Sequence, residues 1–394
     1  MTGIPAEELA ERRERLLAHV RVSGASGYVL FGQDYIQYLT GFWFLSTERP
    51  VVVAQSAGGD LVAFVPEFEV ERVRAETTFE RVESYREYPG TEHPMSILAR
   101  VLADVGIRGR IAADQDGYPG ILGYRGPALG AVTEATVEPV ADVIEQMMAR
   151  KSESELALIR ESARWCAHAH RLLQEYTRPG VTEAQASLRA ASEATLAMLA
   201  ELGERYGGQL GSADGVKAGY RGQIGLRSSW AHAIAHDIEF RAGDVLVTET
   251  GAPVWGYNAE LERALVIGTP TDEMRRLFEH TVAAQQVAFD AVRPGVACAD
   301  VDRAVLAYFE EHDLLRYWRQ HVGHAIGLRN HEAPFLDVGD ETTILPGMVF
   351  TIEPGLYDAA VGGFRHSDTV AVTEDGIDIL TDYPRDLESL TIPA

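Results

Sequence analysis

The stretch His321-Val322-Gly323-His324-Ala325-Ile326-Gly327-Leu328-Arg329-Asn330-His331-Glu332-Ala333-Pro334 decides the reading of this chain. It is followed by Thr351-Ile352-Glu353-Pro354-Gly355 and then by Gly363-Phe364-Arg365-His366-Ser367-Asp368-Thr369. Histidines and a glutamate recur here among glycines, and a residue without Cβ lets backbone come close to a neighbour or ligand. Each short strand-like piece carries one titratable group and the next piece carries another. Such spacing predicts a polar cavity lined by strands rather than a single catalytic loop.

Working outward, 394 residues suffice for two domains with a core each. The 46% apolar and 8% aromatic content is that of an ordinary globular enzyme, which excludes a disordered or fibrous chain. No apolar run reaches the roughly 18 residues a spanning helix needs, and the charged opening MTGIPAEELAERRERL lacks a secretory apolar core. A cytoplasmic location is expected. Cys166 and Cys298 have no nearby partner cysteine, so buried reduced thiols are expected rather than a disulfide or zinc knuckle. The net charge of −24 argues against nucleic acid or an anionic membrane as partner.

The first part alternates β-rich runs (27–31, 51–55, 61–65, 110–113) with helical patterns (6–20, 95–105), which predicts an α/β layer domain over residues 1–145. Ser152 with Glu155, and Thr182 with Gln185, read as capping boxes that open two helices. Leu156, Ile159, Ala163, Cys166, His170 and Leu173 recur at helical spacing and predict one buried stripe, and His168 and His170 are expected to be on the helix surface or half-buried. Further helices are expected over 272–292 and 299–312, and strands over 245–250, 260–267, 349–353 and 364–373. The second domain, 152–394, is therefore α+β.

These motifs, with Glu249–Gly251, Tyr257–Arg263 and Ile36–Phe42, resemble the creatinase/aminopeptidase P/prolidase family over nearly the whole chain. The resemblance implies a pita-bread catalytic domain behind a smaller α/β domain, and a homodimer. In the family's metallopeptidases two aspartates, a histidine and two glutamates hold two divalent ions. Here those positions carry Glu249, Glu260, His324, Glu353 and, where the bridging glutamate is expected, Ser367. A neutral hydroxyl neither spans two cations nor offsets their repulsion. The expectation is thus a degenerate metal site: no cofactor, or at most one weakly held divalent ion (Mn, Co or Zn) on Glu249, Glu260, His324 and Glu353. Strand alternation turns His366 and Asp368 away from the face of Ser367.

A second constellation comes from the family's metal-free creatinase. Its catalytic histidine and two glutamates match His232, Glu262 and Glu353, with His324 also in the cavity. Histidine can take a proton from water and give it to a leaving nitrogen. Arg49 matches an arginine that grips a substrate carboxylate from the neighbouring subunit, with Trp43 and Phe44 as an apolar wall and His331 as a substrate-side histidine. Glu262 and Arg263 could also form an ion pair along one strand, with Arg365 bracing nearby carboxylates. Three functions follow: a C–N hydrolase like Xaa-Pro dipeptidases or aminopeptidases with a degenerate metal site, a metal-free hydrolase of amidines or guanidines (creatinase- or ectoine-hydrolase-like), or an inactive pita-bread binding protein. The partner is a small molecule or dipeptide in either enzymatic case.

Overall fold

The computed structural model describes residues 3–203 and 215–394, which divide into two compact units, Ile4–Met148 and Ala149–Ala394 with Gly3. Six strands make the sheet of the first unit: β1 (Gly27–Leu30), β2 (Val52–Ser56), β3 (Leu61–Pro66), β4 (Arg81–Tyr85), β5 (Arg110–Ala113) and β6 (Thr136–Pro139). Their order is β4-β3-β2-β1-β5-β6, antiparallel only at the two β2 junctions. Valines and phenylalanines of β1 to β3 pack under Met95, Leu98, Val101 and Leu102 of the helix Pro94–Asp104. This is the expected α/β layer.

In the second unit both capping boxes form. Ser152 Oγ accepts from the Glu155 amide ahead of the helix Glu153–Tyr176, and Thr182 Oγ1 does the same for Gln185 ahead of Glu183–Leu202. Two more helices follow at Asp272–Ala291 and Cys298–Glu311. The strands are β7 (Lys217–Gly219), β8 (Val245–Val247), β9 (Glu249–Gly251), β10 (Glu260–Leu261), β11 (Ala264–Ile267), β12 (Gly323–Ala325), β13 (Glu332–Leu336), β14 (Val349–Ile352), β15 (Gly355–Asp358), β16 (Gly362–Arg365), β17 (Asp368–Val372), β18 (Ile377–Ile379) and β19 (Thr391–Ile392). They form sheets ordered β10-β9-β7, β19-β11-β8, β13-β12-β14-β17-β18 and β15-β16.

Three of the expected strands are broken in two, and the breaks build the site. The run 245–250 divides at Thr248 and the run 260–267 at Glu262-Arg263, so each contributes to two sheets. At that junction the Thr248 hydroxyl donates to the Arg263 carbonyl (3.1 Å) and accepts from its amide (2.8 Å), standing in for part of the ladder. The run 364–373 divides at His366-Ser367, where Ser367 bridges the backbone of Glu262 through bonds of 3.0 and 3.1 Å. A polar side chain can offer the backbone an alternative to its ladder partner, which period-two patterning cannot register.

Two expectations fail here. His170 is fully buried, its Nε2 2.8 Å from the Thr248 hydroxyl and its ring against Tyr383. Glu262 and Arg263 do not pair with each other: Glu262 joins Arg365, and Arg263 joins Asp368. Both cysteines are buried free thiols, as expected.

Burial, aided by the charge of Arg263, pushes the His170 imidazole down to about 3. The unfolded chain therefore binds a proton below about pH 6.5 that the folded chain refuses. Stability from this residue is complete above that pH and falls as the pH drops, by about 1.4 kcal/mol per unit toward 3. Urea midpoints at pH 7.0 and 5.5 should differ accordingly. In His170→Phe the difference should shrink; an unchanged acid slope refutes the assignment.

Candidate active site

Three carboxylate and imidazole side chains from separate strands meet in the second unit. Glu260 of β10, His324 of β12 and Glu353 just past β14 place one ligand atom each within 4.8 Å of the others. Gly323 permits this approach, because a Cβ there would lie 2.0 Å from the Thr351 carbonyl oxygen of β14. His324 Nε2 lies 3.1 Å from Glu353 Oε1, and its Nδ1 lies 2.9 Å from the Ala325 carbonyl. Since that carbonyl can only accept, Nδ1 carries the proton. The Thr351 hydroxyl donates to the same Glu353 oxygen at 3.2 Å.

Burial alone would make this histidine harder to protonate, but the Glu353 contact and the Glu260 charge override it and raise His324 to about 9. Burial would raise Glu353, yet the His324 contact, with Arg365 behind it, pulls it down to about 2. The two form an ion pair. Glu260 is raised well above its ordinary value by burial first, then by Glu353 and Glu262.

The second half of the site is built on arginines. Arg365 of β16 grips Glu262 with two donors, Nε and Nη2, the latter at 2.7 Å, and its Nε is 3.9 Å from Glu353. Burial raises Glu262 on balance, while the facing guanidinium pulls against it through a bidentate contact of the kind that favours the charged pair. Arg365 Nη1 donates to the Tyr357 hydroxyl (3.2 Å), which donates onward to Gln320. Arg221 lies between Glu249, which its Nε contacts, and Glu262, 3.4 Å from its Nη2. Ser367 donates its hydroxyl proton to Glu260 Oε1 at 2.8 Å. His366 and Asp368 do turn away, the first against Phe278 and the second onto Arg263.

The remaining expected residues fall on the open side or in the other unit. His331 is exposed, its ring stacked on His324 with centroids 3.8 Å apart. His232 is exposed on the loop whose Ala231 carbonyl accepts from Arg365 Nη1 at 3.4 Å. It is close enough for its charge to be among those lowering His331, after burial and the charges around His324. In the first unit, Arg49 bonds to Glu48 at 2.5 Å and to Glu87 at 2.6 Å. Trp43 is half-buried, and Phe44 is 1% exposed and stacked on Phe42, so Phe44 offers no open face for a wall. Glu249 stands outside the three-ligand group because its carboxylate is turned to Arg221. Arg221, Tyr357 and Gln320 escaped the sequence reading. Arg221 meets its carboxylates across 28 and 41 residues, and a lone arginine beside glycine carries no local signal.

Residues 157–374 match Metallopeptidase family M24, and residues 12–147 match the Creatinase/Prolidase N-terminal domain. The probable dipeptidase PepE of Mycobacterium bovis is 27% identical over 384 residues, covering 97% of this chain and 96% of the relative. The Xaa-Pro dipeptidase of Pyrococcus horikoshii is 30% identical over 248 residues, covering 63% and 67%. The crystal structure of dipeptidase PepE from Mycobacterium ulcerans superposes with a TM-score of 0.82 at 25% identity, over all of both chains. Fold and site together define a pita-bread hydrolase acting on C–N bonds. The chain belongs to Metallopeptidase family M24. Among the described residues no helix is long and apolar enough to cross a membrane.

Proposed function

We propose that this chain hydrolyses a C–N bond of a small, dipeptide-sized substrate of the Xaa-Pro type, without a paired metal centre. The convergence of Glu260, His324 and Glu353 within 4.8 Å, open to His331 and His232, carries the reading. Two adjacent ions do not fit these residues. Ser367 puts a neutral hydroxyl, already donating to Glu260, where a bridging carboxylate is expected, and Glu249, the carboxylate of the expected set that stands outside the three, already faces Arg221. The three converging donors suit one divalent ion, which when bound would polarise the scissile carbonyl.

The rest of the reaction belongs to the chain's own side chains. His232, at the open side, takes a proton from water and passes it to the departing nitrogen. The Glu353 carboxylate, kept ionised, fixes His324 and offsets positive charge as it develops. Arg365 keeps Glu262 ionised and in place beside it. His331, stacked on His324, reaches the substrate-side oxygen. Arg49 would grip a substrate carboxylate only after leaving Glu87, and we assign that part to a homodimer in which a partner chain supplies it.

One observation favours a metal-free hydrolase of amidines or guanidines as the second reading. Four carboxylates (Glu249, Glu260, Glu262, Glu353) face three cationic groups (Arg221, Arg365, His324), and Glu260, raised well above its ordinary value, would be favoured in its charged form by a cationic substrate. Hydrolysis of Xaa-Pro dipeptides and of an amidine and guanidine panel, with metal counted before and after chelation, separates the readings. Xaa-Pro cleavage at one ion or fewer per chain supports the first. Chelator-resistant turnover of amidines alone supports the second. Two ions per chain with chelator-sensitive activity overturns both.

A further inference from the structure

We infer that Arg221 is a built-in cation occupying the place of a second metal ion, so that this chain limits itself to a single divalent ion. The inference rests on the hydrolase reading above for its setting, but on separate residues for its argument.

Arg221 contacts Glu249 through Nε and Glu262 through Nη2 at 3.4 Å, and the charges of both glutamates reach Glu260, which converges with His324 and Glu353. One guanidinium therefore holds a carboxylate of the expected ligand set and another from the same strand pair. A dication added at Glu249 would have to displace this group or endure its repulsion. A dication and a guanidinium in contact repel strongly, and the water at a partly exposed site screens that repulsion only in part. Ser367 removes the remaining incentive, since its hydroxyl already donates to Glu260 and offers no bridging charge.

The backbone is shaped to deliver this side chain. Arg221 has φ +49, a left-handed conformation uncommon for a residue with a Cβ, and strain of this kind concentrates where a site needs it. Gly222 follows with φ +73, and a Cβ on it would lie 2.1 Å from the Ile234 carbonyl oxygen. Buried Glu183 clamps the turn, accepting from the Gly222 amide at 2.6 Å and from the His236 amide at 3.1 Å. Register completes the placement, because Gly219 of β7 pairs with Glu249 of β9 and Arg221 emerges two residues later. Arg221 is thus a positioning and charge-balancing residue rather than one that reacts.

Metal content, not turnover, tests this. The full-length protein, Arg221→Gln, Ser367→Glu and the double variant are equilibrated with Mn²⁺, desalted and analysed by inductively coupled plasma mass spectrometry, with circular dichroism as a check on folding. The unaltered protein is expected to keep one ion or fewer, and the double variant to approach two. Arg221→Gln alone should bind Mn²⁺ at least tenfold more tightly by calorimetry, which serves if the double variant does not fold. Two ions on the unaltered protein, a folded double variant at unaltered stoichiometry, or no change in affinity for Arg221→Gln each overturn the inference. None of these outcomes depends on hydrolysis, so a failed substrate panel would sink the functional reading while leaving this one standing.

Discussion

Arg263→Met is expected to lower the melting temperature by about 10 °C, the equivalent of about 3–5 kcal/mol for a unit of this size. Arg263 is completely buried, and its guanidinium bonds to the carbonyls of Pro384, Glu262, Ser367 and Tyr383 at 2.7–3.1 Å and to Asp368 at 2.9 Å. Removing it takes the paired guanidinium from the Asp368 carboxylate, which keeps the hydrogen bonds of the Thr381 hydroxyl (2.6 Å) and the Gln285 amide (3.0 Å) and the more distant charge of Arg385. The dominant cost is the buried, uncompensated charge, not the loss of the attraction itself. Adding Asp368→Leu should accordingly recover part of the loss, as replacement of a whole buried pair often does. Calorimetric scans of the three proteins decide the matter: a shift below about 2 °C for the single variant rejects the argument. The same variant should disturb the site, since Arg263 ties Glu262 to Ser367 at the strand break.

Local chemistry was legible in the sequence and long-range pairing was not. Ser152 with Glu155 and Thr182 with Gln185 announce two helices because a capping box is complete within four residues. The stripe from Leu156 to Leu173 is buried throughout, as its spacing requires. His324 and Glu353 stand in motifs dense in glycine and in ligating side chains, Glu260 was reached through the resemblance to the creatinase and prolidase family, and the three do converge. His170, a member of that stripe, lies deeper than the surface or half-buried place expected of it, because helical spacing marks a face, not the depth to which neighbouring sheets cover it. The pairing of Glu262 with Arg365 rather than with its neighbour Arg263 depends on the break at His366-Ser367, which turns β16 and β17 into different sheets. Arg221 was invisible for the same reason, since nothing within its own turn reveals a carboxylate 28 residues on.

His232→Ala is expected to reduce kcat by about 10²- to 10⁴-fold on whichever substrate the panel identifies, the usual contribution of a positioned proton carrier. The residue is exposed on the loop beside Arg365, so the melting temperature should not move. Glu353→Gln supplies the comparison. It keeps the shape of the side chain but removes the charge that holds His324 protonated, and should cost a similar factor. The two variants should differ in their pH profiles. His232→Ala leaves the Glu353 charge, and with it the hold on His324, intact. Without the Glu353 charge, His324 should lose its proton at lower pH than in the unaltered protein, because its burial is then opposed by one carboxylate fewer. Kinetics from pH 5 to 10 read both effects. Full activity in His232→Ala together with loss in Glu353→Gln would move the proton carrier to His331, stacked on His324 from the same open side. Unchanged turnover in both variants would remove the catalytic assignment altogether and leave a domain that binds small molecules through the same charged cavity.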